Sequence, residues 1–405
     1  MRIRDDHPDR RSSAALILAI AAILLVTLLP RFGPSEDIRV LCLLCGTEGA
    51  ADSVLNVLLF FPAGFLACQS RRAPWVAAIG ILLLTIGIES LQLLIPGRYP
   101  TVGDVAANTL GGFIGIGAAT FAVRHPGKNR RLLPVGLLPS LLVSASLPAT
   151  LYLLEPEIPP GVYYGQWMAE FGQLATYDGV LHDARVGSLP LPDRRLDESA
   201  VDGIRNISAR SPLHIDFTAA PAPPSLAPIL SVFDRRQAVL LLVGVEADAV
   251  VVHLRRRART YRFRAPALRY REFHPAVGSR VTLDVRRQDG AICLDHDGTS
   301  SCRPLAAPGR SWSLLLGSAP ATLPEGLLDG VWLALLGLFA VAACSILPSS
   351  IGRGVQALVL GLPAVTYVTL WLLAGDGGWL PGLAGLVLGS AAWMHRLRRS
   401  TVGSC

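Results

Sequence analysis

Asp52, Asn56, Glu89, Gln92, Arg98, Asp104 and Asn108 punctuate a mostly apolar stretch running from Asp52 to Gly115. Spacings of four, three and four put Asp52 with Asn56, Glu89 with Gln92 and Asp104 with Asn108, each pair on one helix face. Ionisable groups in or beside membrane helices are costly, which makes them functional candidates by default. The chemistry these types allow is capture of a polar headgroup. Arg98 can clamp an anion, Glu89 can act as a catalytic general base, and Asp52, Asn56, Gln92, Asp104 and Asn108 can bind the ligand by hydrogen bonds. A plainer reading stands beside it. Asp52 and Asp104 can cap helix N-termini, and Asn56, Gln92 and Asn108 can hydrogen-bond between helices. Glu89 resists that reading, because it lies about two turns inside an apolar helix and needs a partner such as Arg98. No nucleophile–base pair and no metal-ligand cluster accompanies them. Neither cofactor nor metal is expected, and turnover is left open.

The elements that must position these groups follow from hydropathy. Apolar runs long enough to span a bilayer need about 20 residues, and they occur at 13–30, 54–69, 75–95, 105–123, 132–153, 328–347, 355–374 and 379–395. The expected fold class is therefore a membrane all-α bundle of about eight transmembrane helices, joined to an all-β sandwich of jelly-roll type. Domain limits are 1–153 for five helices, 154–327 for the sandwich and 328–405 for three closing helices. The N-terminal run imitates a signal peptide, but Pro30, Arg31 and Phe32 follow it without a small-residue cleavage site, so a retained helix is expected. Arg71, Arg72, Arg124, Lys128, Arg130, Arg131 and Arg353 fall in alternate loops, and Arg396, Arg398 and Arg399 in the tail. The positive-inside rule then makes both termini cytoplasmic and residues 154–327 extracytoplasmic in a multi-pass inner-membrane protein. That topology gathers the polar residues at one outer depth. Gly111, Gly112, Gly115 and Gly117 are expected to permit close helix packing.

The order of motifs N-V-L-L-F-F-P-A-G-F, I-E-S-L-Q, P-G-R and D-V-A-A-N-T-L-G-G over residues 14–125 resembles the VanZ-like membrane family. The resemblance implies a cell-envelope protein of bacterial type acting in resistance to glycopeptide antibiotics such as teicoplanin. It implies no settled mechanism.

Residues 154–327 begin with the stiff spacer EPEIPPG. Strand-like runs follow at 213–217, 229–234, 238–245, 250–255, 281–287, 291–296 and 312–316, and many short strands between turn signals read as a sandwich. Asp289-Gly290 and Asp297-Gly298 are two-residue hairpin turns. If Asp297 and Gly298 form the second loop, Cys293 opposes Cys302 in a non-hydrogen-bonded pair about 4.5 Å apart, which a disulfide tolerates. The ending L-D-H-D-G resembles concanavalin A-like and laminin-G-like domains, which implies glycan or protein binding. Asp295 and Asp297 fit either turn chemistry or a metal, and Tyr163, Tyr164, Trp167 and Trp312 fit either core packing or sugar stacking. The run RRRARTYRFR (255–264) fits a solvated strand edge or a surface for acidic glycans and lipid heads. Cys42 and Cys45 form C-L-L-C, read as a short-range disulfide or two apolar cysteines, with a redox pair as the sharper alternative.

A net charge of +7 is spread over loops, chain ends and an acid-balanced centre, and no nucleic-acid motif accompanies it, so nucleic acid is rejected as a partner. The expected partners are the lipid bilayer, a cell-wall precursor, a surface glycan or an envelope protein. Two functions are carried forward. One is an outer-leaflet site that binds or modifies a lipid-linked or cell-wall precursor. The alternative is a non-catalytic anchor for a glycan- or protein-binding sandwich. A transporter would show inverted repeats, and none is found between the two helical blocks.

Overall fold

The computed structural model describes residues 10–30, 41–69, 73–124, 133–170, 174–318, 325–344 and 362–370. Helices α1 (Arg10–Leu28), α2 (Gly49–Gln69), α3 (Pro74–Gln92), α4 (Val102–Arg124) and α5 (Leu133–Leu154) come first. Ile23, Phe60, Ala63, Ala77, Ile81, Ile88 and Ile116 form the core of α1–α4.

The expectation of about eight transmembrane helices is not supported. Among the described residues, α2 and α3 are long and apolar enough, by length and composition, to cross a membrane. Shorter apolar helical stretches run over Ser13–Leu28, Ser140–Leu154 and Gly326–Gly337. Of the closing helices expected from the sequence, the first is α9 (Glu325–Cys344). The second is described over 362–370 alone, and 379–395 lies outside the described residues. Leu147, Leu333 and Tyr367 bring α5, α9 and the 362–370 helix into contact.

The tightest junction is between α2 and α4, and glycine makes it possible. A Cβ built on Gly64 would lie 2.0 Å from the Gly112 carbonyl oxygen, one on Gly111 2.3 Å from that of Val57, and one on Gly115 2.2 Å from that of Phe61. Only a missing side chain lets backbones approach this closely, a device typical of membrane helices. Gly112 makes room for Ile81 of α3, whereas Gly117 meets nothing within 4 Å.

Two antiparallel sheets follow. The five-stranded sheet has the order β1 (Tyr163–Trp167), β5 (Ala227–Asp234), β6 (Val239–Glu246), β7 (Ala249–Leu254) and β8 (Leu268–Arg271). The six-stranded sheet runs β11 (Thr299–Pro304), β10 (Ala291–His296), β9 (Arg280–Gln288), β4 (Leu213–Thr218), β2 (Val180–Val186) and β3 (Leu189–Pro190). Alternation sets the faces: Leu213, Ile215 and Phe217 of β4 point inward with Val281, Leu283 and Val285 of β9, against Leu241, Val243 and Val245 of β6. A short helix between the strands, α6 (Glu198–Arg205), is capped by Asp197, whose carboxylate accepts from the Ala200 N–H.

One expected strand is a helix. Residues 312–316 lie in α8 (Ser311–Leu316), which continues a 3₁₀ turn at Pro308–Arg310. The run SWSLLL has no period-two alternation, so periodicity could not separate strand from buried helix. Burial of Trp312, Leu314 and Leu315, and donation from the Trp312 indole to Asp329 Oδ1 at 2.7 Å, favour the helix.

Both hairpin turns have positive φ at their two central residues, Asp289 and Gly290 and then Asp297 and Gly298, the conformation that suits Asp-Gly. The second turn sets a register in which Cys293 faces Cys302. The two are disulfide-bonded with Cα atoms 3.9 Å apart. Asp295 pairs with Arg286 at 2.7 Å. Tyr163 is buried, and the Trp167 indole donates to the Leu191 carbonyl at 2.8 Å, so both are packing residues.

The half-buried imidazole of His253 on β7 is pushed down to about 4, first by desolvation and then by Arg259 and Arg256. The unfolded chain therefore binds the extra proton between about pH 6.5 and 4, and folding stability falls as pH drops through that window. The loss is expected to reach at most about 3 kcal/mol. Urea midpoints measured from pH 7.5 to 4 check this: wild type should decline across the window, and His253→Gln should flatten the decline. An unchanged slope in His253→Gln would remove His253 as its cause.

Candidate functional site

The polar residues sit within the first two turns of α2 and α4, in the last turn of α3 and in the loop after it. Thr101 caps α4: its hydroxyl accepts from the Asp104 N–H at 3.1 Å and donates to Asp104 Oδ2 at 2.7 Å. This is a capping box with aspartate in the first turn, where a carboxylate also suits the helix dipole. The other oxygen, Asp104 Oδ1, accepts from Asn56 Nδ2 at 2.7 Å and ties α4 to α2. Gln92 ends α3 and donates to the Thr27 carbonyl of α1 at 2.9 Å. Arg98 closes the C-terminal end of α1, giving Nε to Leu29 O at 2.9 Å and Nη2 to Val26 O at 2.8 Å.

Helix α3 ends at Gln92, short of residue 95, so Glu89 lies in its last turn. It is nonetheless only 7% exposed, and Asn108 beside it 2%. Asn108 Nδ2 donates to Glu89 Oε1 across 3.4 Å. Glu89 Oε2 and Asn108 Oδ1 are buried without any hydrogen-bond partner. Leaving such a group unsatisfied costs about 1–3 kcal/mol, so these two acceptors mark the place where a donor would be stabilised.

The α2 start is held from far along the chain. The N–H groups of Ala50 and Ala51 donate to the carbonyl of Arg262 at 3.2 and 3.3 Å, satisfying orphan donors of the first turn. Arg264 Nε pairs with Glu48 at 2.7 Å and Nη2 with Asp52 at 2.7 Å, while Arg259 reaches Glu48 at 3.1 Å. The Arg262 guanidinium donates to the Leu44 carbonyl. The basic run 255–264 is therefore neither a strand edge nor a free basic surface. It forms a helical turn, α7 (Arg257–Thr260), and a tail seated on the helical unit. Arg256 within it is 2% exposed and donates to the Leu305 carbonyl at 2.5 Å.

These placements converge. Asp52, Asn56, Glu89, Gln92, Arg98, Asp104 and Asn108 all line one cavity of about 370 Å³ at the sandwich-facing end of the helices. Thr101, Tyr99, Ser53 and the disulfide-bonded C-L-L-C loop complete its wall through Leu43 and Cys45, and Leu316 of α8 reaches it from the sandwich side. The C-L-L-C loop rests on the α4 start, where the Gly103 N–H donates to the Cys42 carbonyl at 3.0 Å. Among the described residues, no cluster of three or more His, Cys, Asp or Glu is placed to hold a metal.

Sequence reasoning missed Thr101, whose T-x-x-D spacing was a legible capping signal. It also missed Glu48 and Arg264, which lie 216 positions apart and carry no local signal of their contact.

A helical unit with a polar cavity at one end, covered by a sandwich, is the class these features define. Residues 15–123 match the VanZ/LLP1 family model, so the first four helices carry a VanZ-like domain. No curated protein and no solved structure matches the chain. The family match and the two apolar helices together point to membrane association.

Proposed function

We propose that this chain is a multi-pass protein of the cytoplasmic membrane whose cavity binds, or binds and modifies, a lipid-linked or cell-wall precursor at the outer leaflet. In this reading both termini are cytoplasmic, residues 154–327 are extracytoplasmic, and the units run 1–153, 154–327 and 328–405. Support for the orientation comes from the Arg-rich alternate loops. The observation that carries the reading is the pair of buried, unpartnered acceptors, Glu89 Oε2 and Asn108 Oδ1, in a cavity lined by all seven polar residues. Glycopeptide resistance is the phenotype that the VanZ resemblance suggests.

Glycopeptide susceptibility of a strain lacking the gene, complemented with wild type or with Glu89→Gln, tests the proposal. Glu89→Gln keeps the side-chain size and replaces one acceptor with a donor. It should reach the membrane at wild-type level and fail to complement. Full complementation by this variant would refute a working role for the cavity. Failure only when 155–325 is removed would shift the function to recognition by the sandwich.

A further inference from the structure

Beside the polar cavity, on the outer surface of the helical unit, lies an apolar groove of about 340 Å³ between α2 and α4. Val54 and Leu58 form one bank, Ala106 and Leu110 the other, and the small side chains of α4 keep it open. The four are exposed on the helix surface. Leu43 and Ser53 belong to both groove and cavity, so the two hollows share a wall and adjoin. From Gly103 to Leu110 the groove follows about 10 Å of helix at 1.5 Å per residue.

An apolar channel that runs into a polar chamber fits one kind of molecule. We propose that the two hollows form a single site for an amphiphile of the surrounding bilayer, with a hydrocarbon chain in the groove and a hydrogen-bond-donating head in the cavity. The inference rests on the reading of the cavity given above and specifies its ligand.

The head is chosen by what the chamber lacks. Asp52, Glu89 and Asp104 bring three carboxylates, and Arg264 engages Asp52. Arg98 spends Nε and Nη2 on α1 carbonyls. The two unpartnered atoms, Glu89 Oε2 and Asn108 Oδ1, are both placed to accept. A head rich in N–H or O–H donors, ammonium or hydroxyl, satisfies them, whereas a bare carboxylate adds a fourth acceptor. Selection falls on the head, because lipid tails are as apolar as the groove and leaving them for it brings no hydrophobic gain. The groove contributes shape and direction.

The test uses three photoreactive probes with the same diazirine-bearing alkyl chain: an alkyl amine, an alkyl glucoside and a fatty acid. Each is added in tracer amounts to the full chain in phosphatidylcholine nanodiscs, and labelled peptides are mapped by mass spectrometry. At least one donor-headed probe should label the peptides carrying Val54, Leu58, Ala106 and Leu110 about fivefold more than the fatty acid. That is the scale expected for a hydrogen bond in a bilayer. Amine and glucoside arms separate an aminolipid from a lipid-linked sugar. Ala106→Trp, which fills the groove from an exposed position, should abolish the excess, and Leu58→Trp provides the same test from the opposite helix. Equal labelling by the fatty acid, or an excess that persists in both variants, overturns the inference. If labelling shows no preference while Glu89→Gln still fails in cells, the groove falls and the cavity reading stands. A clear preference with Glu89→Gln fully active leaves the site without the proposed cellular role.

Discussion

Gly64→Ala is expected to drive α2 away from α4 and to lower the stability of the helical unit by about 3 kcal/mol, near the upper end of what overpacking costs. The new methyl group would sit 2.0 Å from the Gly112 carbonyl oxygen and 2.7 Å from its carbon. Both are backbone atoms in a helix, and neither can swing aside as a side chain would. Gly117→Ala is the matched control, since nothing lies within 4 Å of its added carbon. That change should be neutral or stabilising by up to about 1 kcal/mol through helix propensity. Thermal midpoints of the purified chain in detergent, followed by tryptophan fluorescence, compare the two. Equal midpoints would show that the α2–α4 junction is looser than described.

The second large effect concerns the joint between sandwich and helices. Arg264→Glu should undock the two, because it replaces a guanidinium shared by Glu48 and Asp52 with a third carboxylate. The Arg264 side chain is 16% exposed, but Glu48 and Asp52 are 36% and 40% exposed. Solvent screening therefore sets the expected cost at about 1–2 kcal/mol, below that of a fully buried pair. Limited proteolysis within EPEIPPG gives the readout, with cleavage expected to be faster in the variant. A double-mutant cycle between Asp52→Ala and Arg264→Ala isolates the pair itself. Strictly additive losses would mean that the ion pair does not couple the two units.

The cavity was legible in the sequence because its members are encoded locally. Spacings of three and four residues put Asp52 with Asn56, Glu89 with Gln92 and Asp104 with Asn108 on shared faces, and helix ends set their depth. The Asp-Gly turns were legible for a similar reason, as two adjacent residues dictate the backbone and, through it, the register that brings Cys293 to Cys302. Legibility ended where tertiary contact decides. SWSLLL had no period to read, so its helix depended on a socket that accepts Trp312. The basic run 255–264 read as a solvated surface because its acidic partners, Glu48 and Asp52, are remote in the chain. The role of Arg98 was blurred in the same way: its type suggested an anion, whereas its position at the end of α1 supplies carbonyls. The expected count of eight spans is not supported: among the described residues α2 and α3 are long and apolar enough to cross a membrane, and the run at 379–395 lies outside them.

The carbonyl of Arg262 completes the first turn of α2, and this has a consequence for biogenesis. Asp52 is synthesised 212 residues before Arg264. At roughly 5–20 residues per second, the ribosome needs about 10–40 s to supply the missing piece. During that interval the nascent α1–α4 unit carries an open mouth and uncapped amides. The site therefore matures only after the sandwich has emerged and folded back, and a chain stopped before residue 262 would present an unfinished pocket however well its helices insert.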